Sequence, residues 1–171
     1  MKPVKIIKSE PILLVGMSFF GDPFSSASDW SVENEIGKLW SRFMRFLGNN
    51  SDAINNKVEG GGLYEIHIDG DRTEKDGNYE VFVGMPVETL DKVPIECVVK
   101  QLPETDYAIF TVKGEEIFSD WGMDIYRGWM PESGYETSFK YNVQLYDERF
   151  KGMDRIEESE LDIYVPVKLK A

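Results

Sequence analysis

Near its C-terminal end, the sequence places an amide and two phenol rings at spacings that could line a small-molecule site. Gln144 and Tyr146 alternate with apolar residues in FKYNVQLY, and Tyr164 alternates with apolar residues in ELDIYVPVK. Successive side chains of a strand point to opposite faces, so both stretches are predicted to be half-buried strands of a hairpin. Gln144, Tyr146 and Tyr164 are therefore expected to project together, either lining a cleft or forming a solvated face with incidental tyrosines.

Residue types that carry catalysis or bind metals are sparse in the sequence. His67 is the single histidine, with no Ser or Cys partner at a suggestive spacing and no zinc-ligand pattern around it. The triple glycine at 60–62 lacks the Lys-Ser/Thr of a phosphate loop. The acidic residues Glu157, Glu158 and Glu160 do not match a calcium loop. We therefore predict no catalytic residue, no metal site and no cofactor.

The charge balance excludes one class of partner. The chain has 171 residues, a formal net charge of -12 and 42% hydrophobic residues, a composition typical of a folded globular protein. Such acidity leaves no basic footprint for phosphate groups, so direct binding of nucleic acid is not expected. The acidic field favours cationic ligands, although it serves solubility equally well.

No stretch of the sequence predicts a membrane span or a disulfide. The longest apolar run, PILLVGMSFFG, is shorter than the roughly 20 residues of a membrane helix. The basic start MKPVKIIK is followed by too short an apolar stretch for a signal peptide, so a cytoplasmic location is expected. The single cysteine, Cys97, excludes an internal disulfide and is predicted to be a small buried residue, not a reactive thiol.

The first half of the chain predicts the order strand, helix, hairpin. A strand is expected over 11–20, with Gly16 marking a bulge or a close approach of two backbones. Ser31 is expected to cap a helix of about five turns. Strands over 63–68 and 79–88 flank turn signals typical of a hairpin. The helix carries an apolar stripe formed by Ile36, Leu39, Trp40, Phe43, Met44 and Leu47.

The second half repeats that order. Strands over 96–102 and 107–112 precede a helix-like stretch, and the terminal hairpin completes it. Within the helix-like stretch, large apolar residues recur every four positions, at Ile117, Trp121, Ile125 and Trp129. A β-α-β-β unit used twice predicts an α+β fold of pseudo-twofold character, with an antiparallel sheet and two main helices. It would form a single domain whose halves span roughly 1–90 and 91–171.

Four stretches, in this order, carry a family resemblance: AIFTVKG, GWMPESGYE, YDERF and ELDIYVPVK. Together they resemble the GyrI-like effector-binding domains, which are related to the ligand-binding half of multidrug-responsive transcription regulators. The resemblance implies a pseudo-symmetric α+β fold with an aromatic-lined cleft for bulky organic molecules, frequently lipophilic cations. Because no helix-turn-helix precedes Pro11, it predicts an effector module standing alone.

The resemblance also implies which residues bind the ligand. Its motif Phe-Glu-x-Tyr falls on 143–146, where Gln144 replaces the expected carboxylate. A replacement carboxylate could come from Glu65, Glu80 or Asp162, and a one-residue error in pleat reverses which of them faces the cleft. The predicted ligand-binding residues are Phe82, Tyr107, Trp129, Gln144, Tyr146 and Tyr164, with Tyr64 and Trp121 as second choices.

Three functions compete at this point. The leading one is binding of bulky amphiphilic, often cationic, organic compounds, for sequestration or for sensing through a separate regulatory partner. The second is hydrolysis of an electrophilic toxin by a water near Gln144 and Tyr107. This hypothesis lacks a general base, because the Gln144 amide takes up no proton at neutral pH. The third is protein interaction through the acidic surface, which predicts salt-sensitive association.

Overall fold

The computed structural model describes residues 1–27, 33–50 and 52–171, which fold as two compact units. The N-unit comprises Ile12–Leu102, and the C-unit comprises Met1–Pro11 together with Pro103–Ala171. The first residues belong to the C-unit because strand β1 (Lys5–Ser9) pairs antiparallel with a strand of that unit. No helix among the described residues is long and apolar enough to cross a membrane.

The N-unit is an antiparallel four-stranded sheet covered on one face by a helix. In the sheet the strand order is β3-β4-β2-β5, so the hairpin predicted from the turn signals is confirmed. The elements along the chain are β2 (Ile12–Gly21), α1 (Glu35–Asn49), β3 (Leu63–Asp69), α2 (Thr73–Asp76), β4 (Tyr79–Val87) and β5 (Val98–Leu102).

Helix α1 packs its apolar stripe against β2 and β4. The side chain of Asn34 caps the helix by accepting a hydrogen bond from the Gly37 backbone N–H at 2.8 Å, while the predicted cap, Ser31, lies outside the described residues. The stripe is buried as predicted except at Met44, which is 48% exposed. Its buried members are Ile36, Leu39 and Phe43, with Trp40 and Leu47 partly buried beside them.

Two glycines let β2 and β4 approach each other closely. A Cβ on Gly16 would lie 2.0 Å from the Val83 carbonyl oxygen, and a Cβ on Gly84 would lie 2.6 Å from the Val15 carbonyl oxygen. Neither separation leaves room for a side chain. The close approach predicted at Gly16 is therefore confirmed, and the ring of Phe82 lies over both glycines.

The C-unit repeats this design with its own strands and helical elements. Its strand order is β1-β6-β9-β8, and β7 pairs with the C-terminal end of β9. Its strands are β6 (Thr105–Lys113), β7 (Tyr135–Thr137), β8 (Tyr141–Tyr146) and β9 (Glu160–Leu169). Its helical elements are a 3₁₀ turn (Gly114–Phe118), a π-helix (Met123–Trp129), α3 (Met130–Glu132) and a second 3₁₀ turn (Met153–Glu158).

The duplicated β-α-β-β order is confirmed. In each unit the third strand of the repeat lies between the first and the second, as β4 lies between β2 and β3, and β9 between β6 and β8. The helical layers differ, because the C-unit stretch from Gly114 to Glu132, here called the helical segment, changes type along its length. Two internal glycines and Pro131 disfavour a continuous α-helix there.

The four-residue spacing in the helical segment does define one buried face, as predicted. Trp121 and Ile125 are buried, and Ile117 and Trp129 pack against the same apolar cluster. The wider turn of a π-helix, with i→i+5 hydrogen bonds, keeps such residues aligned. Spacing therefore predicted the packed face correctly, and the helix-like stretch combines 3₁₀, π and α turns.

Lys170 anchors the end of the helical segment. Its Nζ donates hydrogen bonds to the backbone oxygens of Met130, Pro131 and Ser133 at 3.1, 3.2 and 2.8 Å. A cation on the last carbonyls of a helix stabilises it by about 0.3–1 kcal/mol. We expect Lys170→Met to lower the free energy of unfolding by up to ~1 kcal/mol in urea titrations, and to speed amide hydrogen exchange over 130–134.

Lys168→Met is the matched control, since the ammonium group of this exposed lysine forms an ion pair with the exposed carboxylate of Glu136 at 3.2 Å. Exchange over 130–134 should then match the wild type. Equal exchange rates in Lys170→Met and Lys168→Met would show that Lys170 does not hold the segment.

Cys97 behaves as a half-buried apolar residue of the N-unit core. Burial, and then the charge of Glu96, raise the pKa of its thiol. A raised pKa leaves less thiolate at neutral pH, so alkylation by iodoacetamide should be slower than that of free cysteine and should accelerate as pH rises. Alkylation at neutral pH faster than that of free cysteine would contradict this account.

Candidate functional site

Strand register decides which predicted residues share a face of the C-unit. Val143 lies opposite Tyr164, and Gln144 lies opposite Ile163. Opposed residues of an antiparallel pair project to the same side, so Gln144 shares the face of the buried apolar residues of β9, and Tyr164 lies on the other face. The expectation that Gln144, Tyr146 and Tyr164 project together is therefore wrong for Tyr164.

The face beneath the helical segment collects four of the predicted residues. Gln144 is 4% exposed, and Tyr146 packs against the apolar cluster that contains Trp121 and Trp129. The Tyr146 hydroxyl donates to Gln144 Oε1 at 3.5 Å. This face thus combines large rings with a buried amide.

The rings of this face pack in a fixed arrangement. The Trp129 ring meets Phe110 edge-on at 5.2 Å and stacks on Tyr135 at 6.2 Å, measured between centroids. Tyr146 meets Phe150 edge-on at 4.8 Å. Such geometries are the favoured ones for aromatic pairs, so these rings also serve the core.

The opposite face of the C-unit sheet holds a second group of tyrosines. The Tyr107 and Tyr141 hydroxyls hydrogen-bond at 2.7 Å, and the Tyr164 ring meets Tyr107 edge-on at 5.8 Å. Burial raises the pKa of Tyr141, and the hydrogen bond with Tyr107 partly offsets that rise. Tyr107 and Tyr164 thus lie together, away from Gln144.

In the N-unit, Phe82 and Tyr64 lie on the face away from α1. Tyr64 pairs with Gly84, and Phe82 pairs with Ile66, whereas Val81 and Val83 pack under α1. Phe82 is fully buried, and burial raises the pKa of Tyr64.

Two of the three predicted carboxylates form ion pairs with an arginine or a lysine. Asp162 accepts from Arg149 Nη2 at 2.7 Å and from Thr111 Oγ1 at 2.6 Å. Glu80 accepts from Lys100 Nζ at 2.9 Å. Their charges are balanced within the protein, so neither is suited to answering the charge of a ligand.

Glu65 differs from both. It is 2% exposed, and its position opposite Val83 turns it toward α1. Oε2 accepts a hydrogen bond from Trp40 Nε1 at 2.5 Å, and Oε1 lies 2.7 Å from His67 Nε2. A buried carboxylate flanked by an indole and an imidazole is the kind of environment that binds an organic cation.

A third ring extends the Glu65 environment. His67 and Tyr79 have ring centroids 5.3 Å apart. Burial raises the pKa of the Tyr79 phenol, and the negative charges of Glu65, Asp69 and Asp22 raise it further. The potential here is therefore negative, which favours a cation.

Sequence reasoning missed this grouping. From the sequence, Trp40 is a member of the apolar stripe of α1, His67 has no partner at a suggestive spacing, and Tyr79 is not singled out. The available signal was the alternation in YEIHID, which puts Glu65 and His67 on one face.

Comparisons with known proteins agree on the family and the fold. The model of the integron-associated effector-binding protein family matches residues 5–167. The transcriptional regulator BrlR of Pseudomonas aeruginosa is 27% identical over 165 residues, which cover 95% of this chain and 54% of the regulator. The chain thus spans about half the length of that curated relative.

Two solved structures share the fold. SAV2435, whose structure was solved bound to tetraphenylphosphonium, superposes with a TM-score of 0.64 at 15% identity, covering 98% of this chain and 94% of that one. The integron cassette protein VCH_CASS2 of Vibrio cholerae superposes with a TM-score of 0.60 at 12% identity, covering 96% and 95%.

Proposed function

Because the chain belongs to the integron-associated effector-binding protein family, we propose that it binds bulky amphiphilic organic compounds, often cationic, and that it senses or sequesters them. The observation that carries this proposal is the buried carboxylate of Glu65 between Trp40 and His67. A desolvated organic cation gains from such a charge and from each ring face, at roughly 0.5–2 kcal/mol per ring.

The burial of Glu65 determines how a ligand reaches its carboxylate. At 2% exposure the carboxylate is covered in the free protein. The Trp40 indole donates directly to it, so a ligand that approaches the charge displaces or repacks this ring. Trp40 thus acts as both a cover and a wall of the binding site.

Likeness to named proteins supports the chemical class and the role. SAV2435 was solved with a bulky lipophilic cation, and BrlR is a transcriptional regulator. By analogy we propose that binding here serves sensing through a regulatory partner, or sequestration, in the cytoplasm. Sensing and sequestration both require that the site bind the same class of compound.

Fluorescence titration with tetraphenylphosphonium tests the proposal. We expect a saturable change in tryptophan emission at a stoichiometry near one ligand per chain, because Trp40 contacts the carboxylate. Trp40→Phe should remove most of the change. A linear, unsaturable response to tetraphenylphosphonium would contradict the proposal. In a separate assay, slow turnover of an electrophilic probe instead of stable binding would also contradict it.

A further inference from the structure

His67 lies directly beside the carboxylate that the proposed function assigns to a cation. Its Nε2 is 2.7 Å from Glu65 Oε1, and the two side chains are 12% and 2% exposed. An ionised carboxylate only accepts hydrogen bonds, so Nε2 carries the proton of this contact whether the ring is neutral or charged. A second proton on the ring makes the imidazole a counter-ion for Glu65.

The charges nearest to His67 on its own strand are negative. Glu65 and Asp69 lie two residues to either side of it on β3, so all three side chains project to one face. On β4, the Tyr79 ring lies 5.3 Å from the imidazole, and the charges of Glu65, Asp69 and Asp22 all act on its phenol. This face therefore attracts a positive charge, either on the imidazole or on a ligand.

The elements packed over the same face contribute apolar rings to it. Helix α1 directs Trp40 to the carboxylate, while its basic residues Lys38, Arg42 and Arg45 are exposed. Strand β2 contributes Phe19, which packs against the core beneath the helix. In such an apolar setting, two positive charges close together repel each other much more strongly than in water.

The ring of His67 changes its charge in an accessible range of pH. Histidine side chains ordinarily titrate between pH 5 and 8, and His67 is the single histidine of the chain. A neutral ring leaves the negative charge of Glu65 for a ligand. A protonated ring cancels that charge and repels an incoming cation.

We infer that His67 is an internal competitor of the bound cation. Its protonated imidazole neutralises Glu65 and opposes the ligand, so the cation binds the form with a neutral ring, and the displaced proton passes to the solvent. This rests on the proposed binding of cations at Glu65 and adds its regulation: affinity is high near neutral pH and falls in acid. His67 thus sets the affinity for a cation, whereas a neutral compound meets no such competition.

Tetraphenylphosphonium is a suitable probe because it has no ionisable group, so the pH dependence of its binding comes from the protein. By fluorescence titration, we expect the wild type to bind it about tenfold more weakly at about pH 5.5 than at about pH 7.5. His67→Gln keeps an N–H donor for Glu65 but takes up no proton. Its affinity should therefore change by less than about twofold between the same two pH values. The general loss of negative charge in acid affects both proteins alike.

The imidazole can also be followed without a substitution. Because the chain has a single histidine, its ring-proton NMR signals report the titration of His67 directly. Coupling between two binding events is reciprocal, so a saturating cation must make the imidazole harder to protonate. We expect the titration midpoint to move to lower pH by about one unit, the counterpart of a tenfold change in affinity. This measurement tests the inference even where His67→Gln folds poorly.

The outcomes separate this inference from the proposed function. Equal wild-type affinities at the two pH values, an acid loss that persists in His67→Gln, or a His67 titration that the cation leaves unmoved would overturn the inference. Each of these results leaves the binding of cations at Glu65 intact. Absence of saturable binding to the wild type at both pH values would contradict the proposed function and the inference together.

Discussion

Glu65→Gln is expected to weaken the binding of tetraphenylphosphonium about 30-fold. The amide keeps the shape of the side chain and an oxygen for Trp40 Nε1, which lies 2.5 Å from the carboxylate, but it removes the charge. Loss of one partner of a buried charge pair costs about 2 kcal/mol or more, which corresponds to roughly that factor. The measurement is the dissociation constant by fluorescence titration at fixed ionic strength.

The control for this prediction is Glu88→Gln, which removes an exposed carboxylate just past the end of β4. Its affinity should stay within about twofold of the wild type, because exposed charges are strongly screened. If Glu80→Gln weakened binding while Glu65→Gln did not, the carboxylate would be assigned to the wrong strand.

Arg149→Met is expected to lower the free energy of unfolding by about 3 kcal/mol. Arg149 Nη2 donates to Asp162 and to Asp147, each at 2.7 Å, and Asp162 is 7% exposed. Removing the cation leaves a buried carboxylate without its counter-charge, a change that typically costs 3–5 kcal/mol. Because Arg149 is partly exposed, we expect a loss at the lower end of this energy range. Urea denaturation at neutral pH measures the effect.

The pH dependence follows from the same contacts. Hydrogen bonds from Arg149 hold the pKa of Asp147 below its usual range. That contribution is present above the unfolded pKa of about 3.9 and is lost as pH falls through the lowered folded value. The stability difference between wild type and variant should therefore shrink in acid.

Arg155→Met provides the comparison for Arg149. This arginine lies 3.9 Å from Glu158 with both side chains exposed, so the change in unfolding free energy should stay below about 0.5 kcal/mol. Equal losses of unfolding free energy in the two variants would show that the contact of Arg149 with buried Asp162 contributes no more to stability than an exposed ion pair.

Local patterns in the sequence predicted the elements well. Alternation in ELDIYVPVK identified a strand with Leu161, Ile163 and Val165 buried, as the structure shows. The recurring order of elements predicted the duplicated α+β fold. Both succeed because side-chain alternation and turn chemistry are properties of a few consecutive residues.

The faces of the sites were harder to predict. Tyr164 was expected beside Gln144, but register pairs it with Val143. Register between strands depends on turn length and core packing, and an offset of one residue reverses every face. The same uncertainty left Glu65, Glu80 and Asp162 equivalent until their partners were known.

Contacts between helix and sheet were also beyond the sequence pattern. Trp40 fits the apolar stripe of α1, and nothing in its spacing shows that its N–H reaches Glu65, 25 positions later. The apolar stripe correctly predicts that the Trp40 ring is packed in the core, but it does not predict the hydrogen bond of the indole N–H.

Calorimetric comparison of tetraphenylphosphonium with the neutral triphenylphosphine oxide tests the central claim most directly. The two share phenyl rings attached to phosphorus but differ in charge. A buried carboxylate walled by aromatic rings should give saturable binding of the cation at least about tenfold tighter than binding of the oxide. No saturable heat with the cation, or equal affinity for both compounds, would contradict the account.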